Sequence, residues 1–91
     1  MNAEQRIETI KQRLEKKFSP ERLEVIDDSQ QHRGHAGSQQ GAGHYTIVIA
    51  ADGFKQQSRV AIHRAIYQEL TDLIPDEIHA LRINVLPLND R

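Results

Sequence analysis

Five histidines and no cysteine are distributed along a chain of 91 residues. Three of them, His32, His35 and His44, sit in or beside one glycine-rich stretch, and a fourth, His79, opens the last apolar run. Neutral imidazole is the commonest protein ligand for a transition metal, so these residues mark a candidate metal-facing surface. The chain has no thiolate of its own, so a metal that demands sulfur must draw it from another molecule. The pattern predicts a site shared with a partner. His32 lies three residues from His35, a spacing that pairs the two rings only if the loop folds back. His44 begins an apolar-alternating run and can orient the loop through a backbone hydrogen bond, a supporting task that metal sites need. His63, followed by Arg64 inside a helical pattern, reads as a residue holding helix to sheet, with a ligand role as the alternative.

Other chemistries find little in the sequence. There is no cysteine nucleophile, no Gly-x-Ser-x-Gly elbow and no phosphate-cradling loop. Asp27 and Asp28 are adjacent carboxylates at a strand end, where acidic residues usually form turns. The chain is therefore expected not to be an enzyme and to have no small-molecule substrate. Twelve Lys and Arg against thirteen Asp and Glu give a formal net charge of −1, which excludes a polycation that grips duplex phosphates along its whole surface. Lys11, Arg13, Lys16, Lys17 and Arg22 crowd the first helix and the strand after it, a pattern typical of a solvated face. A local nucleic-acid surface is left to Lys55, Arg59 and Arg64 around the start of the second helix. No run approaches the roughly 20 apolar residues of a membrane span, and Met1 to Lys17 lacks the apolar core of a signal peptide. One domain over residues 1–91 in a reducing cytoplasm is the expectation.

The elements that must position these histidines follow from periodicity. Ile7, Ile10, Leu14 and Phe18 line one face of a first helix, opened by an Asn2/Gln5 capping box and closed before Pro20. Glu21 to Asp27 reads as a strand with Leu23 and Val25 on one face and Ile26 on the other. Asp28 to Gly43 carries four of the five glycines and no periodicity, so it reads as a long loop of the kind that often carries function. His44 to Ala51 is a strand in which Tyr45, Ile47 and Ile49 alternate with Thr46, Val48 and Ala50. Ser58 caps a second helix that continues to about Leu73, with Ala61, Ala65, Leu70 and Leu73 as inward candidates and Pro75 as its stop. Ile78 to Leu86 is a third strand, with Leu81, Ile83 and Val85 set against Arg82 and Asn84. The order α-β-β-α-β predicts a two-layer α+β fold: a three-stranded mixed sheet, first pair antiparallel and last pair parallel, with both helices on one face.

Several of these residues, taken in order, resemble the BolA family. They are Asp28-Ser29, then His32-x-Gly34-His35-Ala36-Gly37, then His44-Tyr45, Phe54, Ser58, His63-Arg64, Ile66-Tyr67 and finally Ile78-His79-Ala80-Leu81. The resemblance runs from Leu23 to about Leu86. It implies a fold similar to a class II KH domain, in agreement with the order of elements just read. It also implies a non-catalytic role, in which BolA-like proteins bind monothiol glutaredoxins and share a glutathione-ligated 2Fe-2S cluster with them, in iron-sulfur maturation or iron regulation. No cluster is then expected in the isolated protein. Some bacterial members are instead described as DNA-binding transcriptional regulators affecting cell shape and stress responses. His35 takes the place where another branch of the family offers cysteine, and His79 is the second carried-over ligand. Two imidazoles on one iron, with thiolates of glutaredoxin and glutathione on the other, would share the asymmetry that raises Rieske potentials. Two departures concern the nucleic-acid reading. Gln56 stands where the family has glycine after Phe-x, and Ile62 stands where it has the first arginine of Arg-His-Arg.

Overall fold

The structure is a computed structural model that describes residues 1–29 and 43–87. Helix α1 spans Ala3–Phe18, strand β1 Arg22–Asp27, strand β2 Gly43–Ala50, helix α2 Arg59–Leu70 and strand β3 Ile78–Val85. Short 3-10 turns at Asp52–Phe54 and Thr71–Leu73 precede and follow α2. The α-β-β-α-β order is as the periodicity predicts, with strand limits within one residue of those expected.

Local chemistry explains the ends of the helices. Asn2 accepts from the Gln5 backbone N–H at 2.8 Å and the Gln5 side chain accepts from the Asn2 N–H at 2.9 Å, a reciprocal cap that satisfies two orphan donors. At the other end Ser19 adopts a left-handed conformation with φ 45°, which turns the chain out of the helix immediately before Pro20. Ser58 caps α2 by accepting from the Ala61 N–H at 3.1 Å.

The three strands form one sheet in the order β1-β2-β3, so β2 is central. β1 pairs with β2 antiparallel, Val25 opposite Ile47 and Leu23 opposite Ile49, and β2 pairs with β3 parallel, Tyr45 beside Leu81 and Ile47 beside Ile83. Both helices cover the same face. Ile10 and Leu14 of α1, Ile62, Ile66 and Leu70 of α2, and Tyr45, Ile47, Ile49 and Ile78 of the sheet are buried in a single core. Fully burying an aliphatic side chain contributes about 1.5–3 kcal/mol, so this interdigitated layer is the main source of stability. Phe18 and Phe54 close one end of it with ring centroids 5.2 Å apart. The Arg13 guanidinium ties the helices together, meeting both Asp72 carboxylate oxygens and donating to the Glu69 carbonyl at 3.0 Å.

The inward side of α2 differs from the expected one. Ala61 is exposed and Ala65 half-buried, while Ile62 and Ile66 turn to the core together with Leu70. Two stripes one residue apart compete on this helix, and the one carrying isoleucine wins because it removes far more apolar area from water than the one carrying alanine. Leu73 is buried as expected, although it lies in the 3-10 turn beyond the helix proper.

Candidate functional site

β2 and β3 run in the same direction and begin side by side, which brings residues 44 and 79 together although 35 positions separate them in the chain. Gly43 pairs with Ile78 and His44 pairs with Ala80, so the register shifts by one and His79 has no partner on β2. A bulge of this kind re-aims a side chain at the end of a ladder. Here the His79 ring lies against His44, with centroids 5.1 Å apart and planes inclined by 53°. His79 is exposed, whereas His44 is 8% exposed and is the one buried polar side chain among the described residues.

The strand ends around this pair are fastened on the β1 side. The Asp28 N–H donates to the His44 carbonyl at 2.7 Å, and the His44 N–H donates to Ser29 Oγ at 3.1 Å. The Ser29 N–H returns to Asp27 Oδ1 at 2.8 Å in an Asx turn, and the Thr46 hydroxyl donates to Asp28 Oδ2. The backbone hydrogen bonds expected of His44 are thus made to the two residues that close β1. Residues 28 and 29 on one side and 43 and 44 on the other are held together at the root of the glycine-rich segment.

A second fastening lies on the β3 side. The Gly43 N–H donates to the Glu77 carbonyl at 3.1 Å, and Glu77 Oε1 accepts from Arg6 Nε at 2.8 Å with the chain's amino terminus 3.5 Å away. The Arg6 hydrogen bond holds the Glu77 carboxyl below the usual carboxylate range; partial desolvation opposes this and the terminal amine reinforces it. Tyr45 packs beneath, 1% exposed, and burial pushes its phenol up while the neighbouring Arg6 pulls the other way. Gly43 has no freedom to be anything larger, because a Cβ built there would overlap the Tyr45 ring. None of Arg6, Tyr45, Thr46 and Glu77 was singled out for the site by sequence reasoning. The available signal was the Asp-Asp-Ser strand end, which could have been paired with a threonine two residues beyond His44.

The remaining candidates are placed differently. His35 and His32 lie outside the described residues. His63 faces another surface, a shallow hollow of about 390 Å³ on α2 that it shares with Arg59, Val60, Arg64 and Tyr67. It is not brought to the His44–His79 corner. Tyr67 reaches from that surface to the sheet, its hydroxyl donating to the Leu81 carbonyl at 3.1 Å. Lys55 is paired with Asp52 at 3.3 Å. Arg59 and Arg64 are exposed and make no ion pair among the described residues. Lys55 and Arg59 also rim an apolar groove of about 520 Å³ floored by Phe54, Ile62 and Val85.

Chemically, the corner offers one accessible imidazole backed by a second, on a scaffold braced from both sides. No group of three or more His, Cys, Asp or Glu side chains converges on a metal position among the described residues. His44 and His79 are the nitrogen donors that the described residues bring to this corner. An iron-sulfur cluster fits it only with sulfur supplied from outside, since the chain contains no cysteine.

The family model for BolA-like proteins matches residues 14–89. The chain is 42% identical over 79 residues to SufE-like protein 1, chloroplastic/mitochondrial, of Arabidopsis thaliana, covering 81% of this chain and 21% of that much longer protein. It is 31% identical over 83 residues to the DNA-binding transcriptional regulator BolA of Escherichia coli, covering 91% of this chain and 76% of that one. The solved BolA domain of SufE1 from Arabidopsis thaliana superimposes with a TM-score of 0.78 at 39% identity, covering 90% of this chain and 91% of the domain.

Proposed function

The chain belongs to the BolA family, and from that premise we propose that it is a non-enzymatic partner of a monothiol glutaredoxin, sharing a bridging 2Fe-2S cluster in iron-sulfur maturation or iron regulation. His79 and His35 are the nitrogen donors in this reading, and the thiolates come from glutaredoxin and glutathione. The observation that supports it is the exposed His79 ring at a corner where β3 begins beside β2, the strand that follows the segment carrying His35 in the chain. When bound, such a cluster supplies one-electron chemistry at a potential set by its ligands. In this reading the Asp28, Ser29 and Thr46 contacts fix the root of the segment, and the parallel register fixes Ile78 and Ala80 on either side of His79. A cytoplasmic, reducing location belongs to the same proposal, because it keeps the partner's thiols available.

Mixing the protein with a cluster-loaded monothiol glutaredoxin and recording visible circular dichroism tests the proposal. The spectrum should change with the wild-type chain and revert toward that of glutaredoxin alone with His79→Ala. An unchanged spectrum, or the same change from His79→Ala, removes the assignment.

A second reading, DNA binding, is favoured by one observation: the exposed Arg59 and Arg64 share a helix and have no acidic partner among the described residues. The Escherichia coli relative carries a DNA-binding name. Against it stands the sequence from Phe54 to Ser58, which lacks the Gly-x-x-Gly loop with which KH domains clamp phosphates. Two arginines neutralising two phosphates give a salt slope of about −2 for duplex affinity. A flat salt dependence would remove this reading.

A further inference from the structure

We propose that His44 is a positioning residue whose ring holds the His79 imidazole in one orientation; the inference rests on the reading of His79 as a donor. A residue at a bulge has no cross-strand partner, so the ladder that fixes its neighbours does not fix its side chain. His79 is moreover exposed, and an exposed side chain on a strand samples its staggered rotamers freely unless something stops it. The ring contact to His44, at 5.1 Å between centroids, is what stops it here.

His44 is fit for the task because its own position is over-determined. Its side chain is buried, its N–H is taken by Ser29 Oγ at 3.1 Å and its carbonyl by the Asp28 N–H at 2.7 Å. The Thr46 hydroxyl then binds the Asp28 carboxylate, locking the same turn from the next residue on that face of the strand. The chain of contacts therefore runs from the end of β1 through the backbone of His44 to its ring, and from the ring to His79. On this account shape matters at position 44 and a second nitrogen donor does not. Ring-bearing His44→Phe should preserve the effect, whereas His44→Ala should abolish it.

The decisive measurement is made on the isolated protein, without any cluster. Three-bond couplings across the His79 χ1 torsion report whether its side chain occupies one rotamer or an average. The wild type and His44→Phe should show a single rotamer and His44→Ala an averaged value. In the glutaredoxin mixture, His44→Ala should weaken cluster sharing about 10-fold, as loss of a supporting residue does at other metal centres, with His44→Phe close to wild type. Should His44→Ala fail to fold, Ser29→Ala takes its place. It removes the hydroxyl that holds the His44 backbone and should give partial averaging at His79, which Ser29→Thr restores. A His79 rotamer unchanged in His44→Ala, or in Ser29→Ala where that replaces it, overturns the proposal. So does loss of cluster sharing in His44→Phe with the rotamer retained, which would make His44 a donor in its own right. If wild-type protein leaves the glutaredoxin spectrum unchanged, the proposed function fails, and the couplings still decide whether His44 holds His79.

Discussion

The corner where β2 and β3 begin and the outward side of α2 each present a histidine, yet they are built in opposite ways. At the corner the backbone of Gly43 and His44 is bonded to both neighbouring strands' ends, and Tyr45 fills the space beneath at 1% exposure. On α2, His63 stands among Val60, Arg64 and Tyr67, of which Val60 is 58% and Tyr67 40% exposed. There the Tyr67 hydroxyl bonds to the Leu81 carbonyl and ties this face to the sheet. The contrast separates two uses of similar side chains. A ligand must be held in a narrow range of orientations before it binds, which requires buried packing around it. A face that meets phosphates needs charge without fixed geometry, because the backbone electrostatic attraction is not directional.

Variants that attack each side in turn can break that contrast. The largest effect is expected from Tyr45→Ala, since truncating a buried aromatic costs about 3–5 kcal/mol; a loss below about 1 kcal/mol in urea unfolding would mean the corner is not packed as described. Gly43→Val comes next, at about 1–3 kcal/mol from overpacking against the Tyr45 ring, read as a lower unfolding midpoint with an unchanged denaturant slope. Glu77→Gln sharpens the comparison through pH. Arg6 holds the Glu77 carboxyl below its ordinary value in the folded protein, so the stability it gives is complete above the unfolded value of roughly 4.3 and disappears as pH falls through the folded one. Wild type and variant should therefore differ at neutral pH and converge in acid, and a gap that persists at the lowest pH would show that Glu77 acts through packing instead. The smallest effects belong to the outward side of α2, where Val60→Ser and Arg64→Gln should each stay within about 0.5 kcal/mol. A larger loss in either would mean that this face is packed too, and the distinction would fall.

Much of the frame was legible in the residues themselves. The Asn2/Gln5 cap, the stop at Pro20 and the two-residue alternation of Tyr45, Ile47 and Ile49 are local signals, and each had one reading. α2 was harder, because Ala61/Ala65 and Ile62/Ile66 draw adjacent stripes on the same helix and only the competition for the core chooses between them. The meeting of His44 with His79 could not be read at all from spacing. It depends on a parallel register between strands separated by a whole helix, and on a bulge that no periodicity announces. The family resemblance pointed to His79 as a ligand but gave no reason for His44 to lie beside it. The same holds for Thr46 and Asp28, two ordinary residues that become partners only once β1 and β2 are aligned.

The bulge has a consequence for how this chain can change length. Removing residue 79 would let Ile78 and Ala80 pair with Gly43 and His44 in unbroken succession, leaving Leu81, Ile83 and Val85 in phase with the core. A shortening there would keep the later side chains on their faces while erasing the imidazole. Most deletions inside a strand throw every later side chain to the wrong face; this one would not. Position 79 is the point at which the strand can lose a residue and keep its phase, and the imidazole is what that loss would remove.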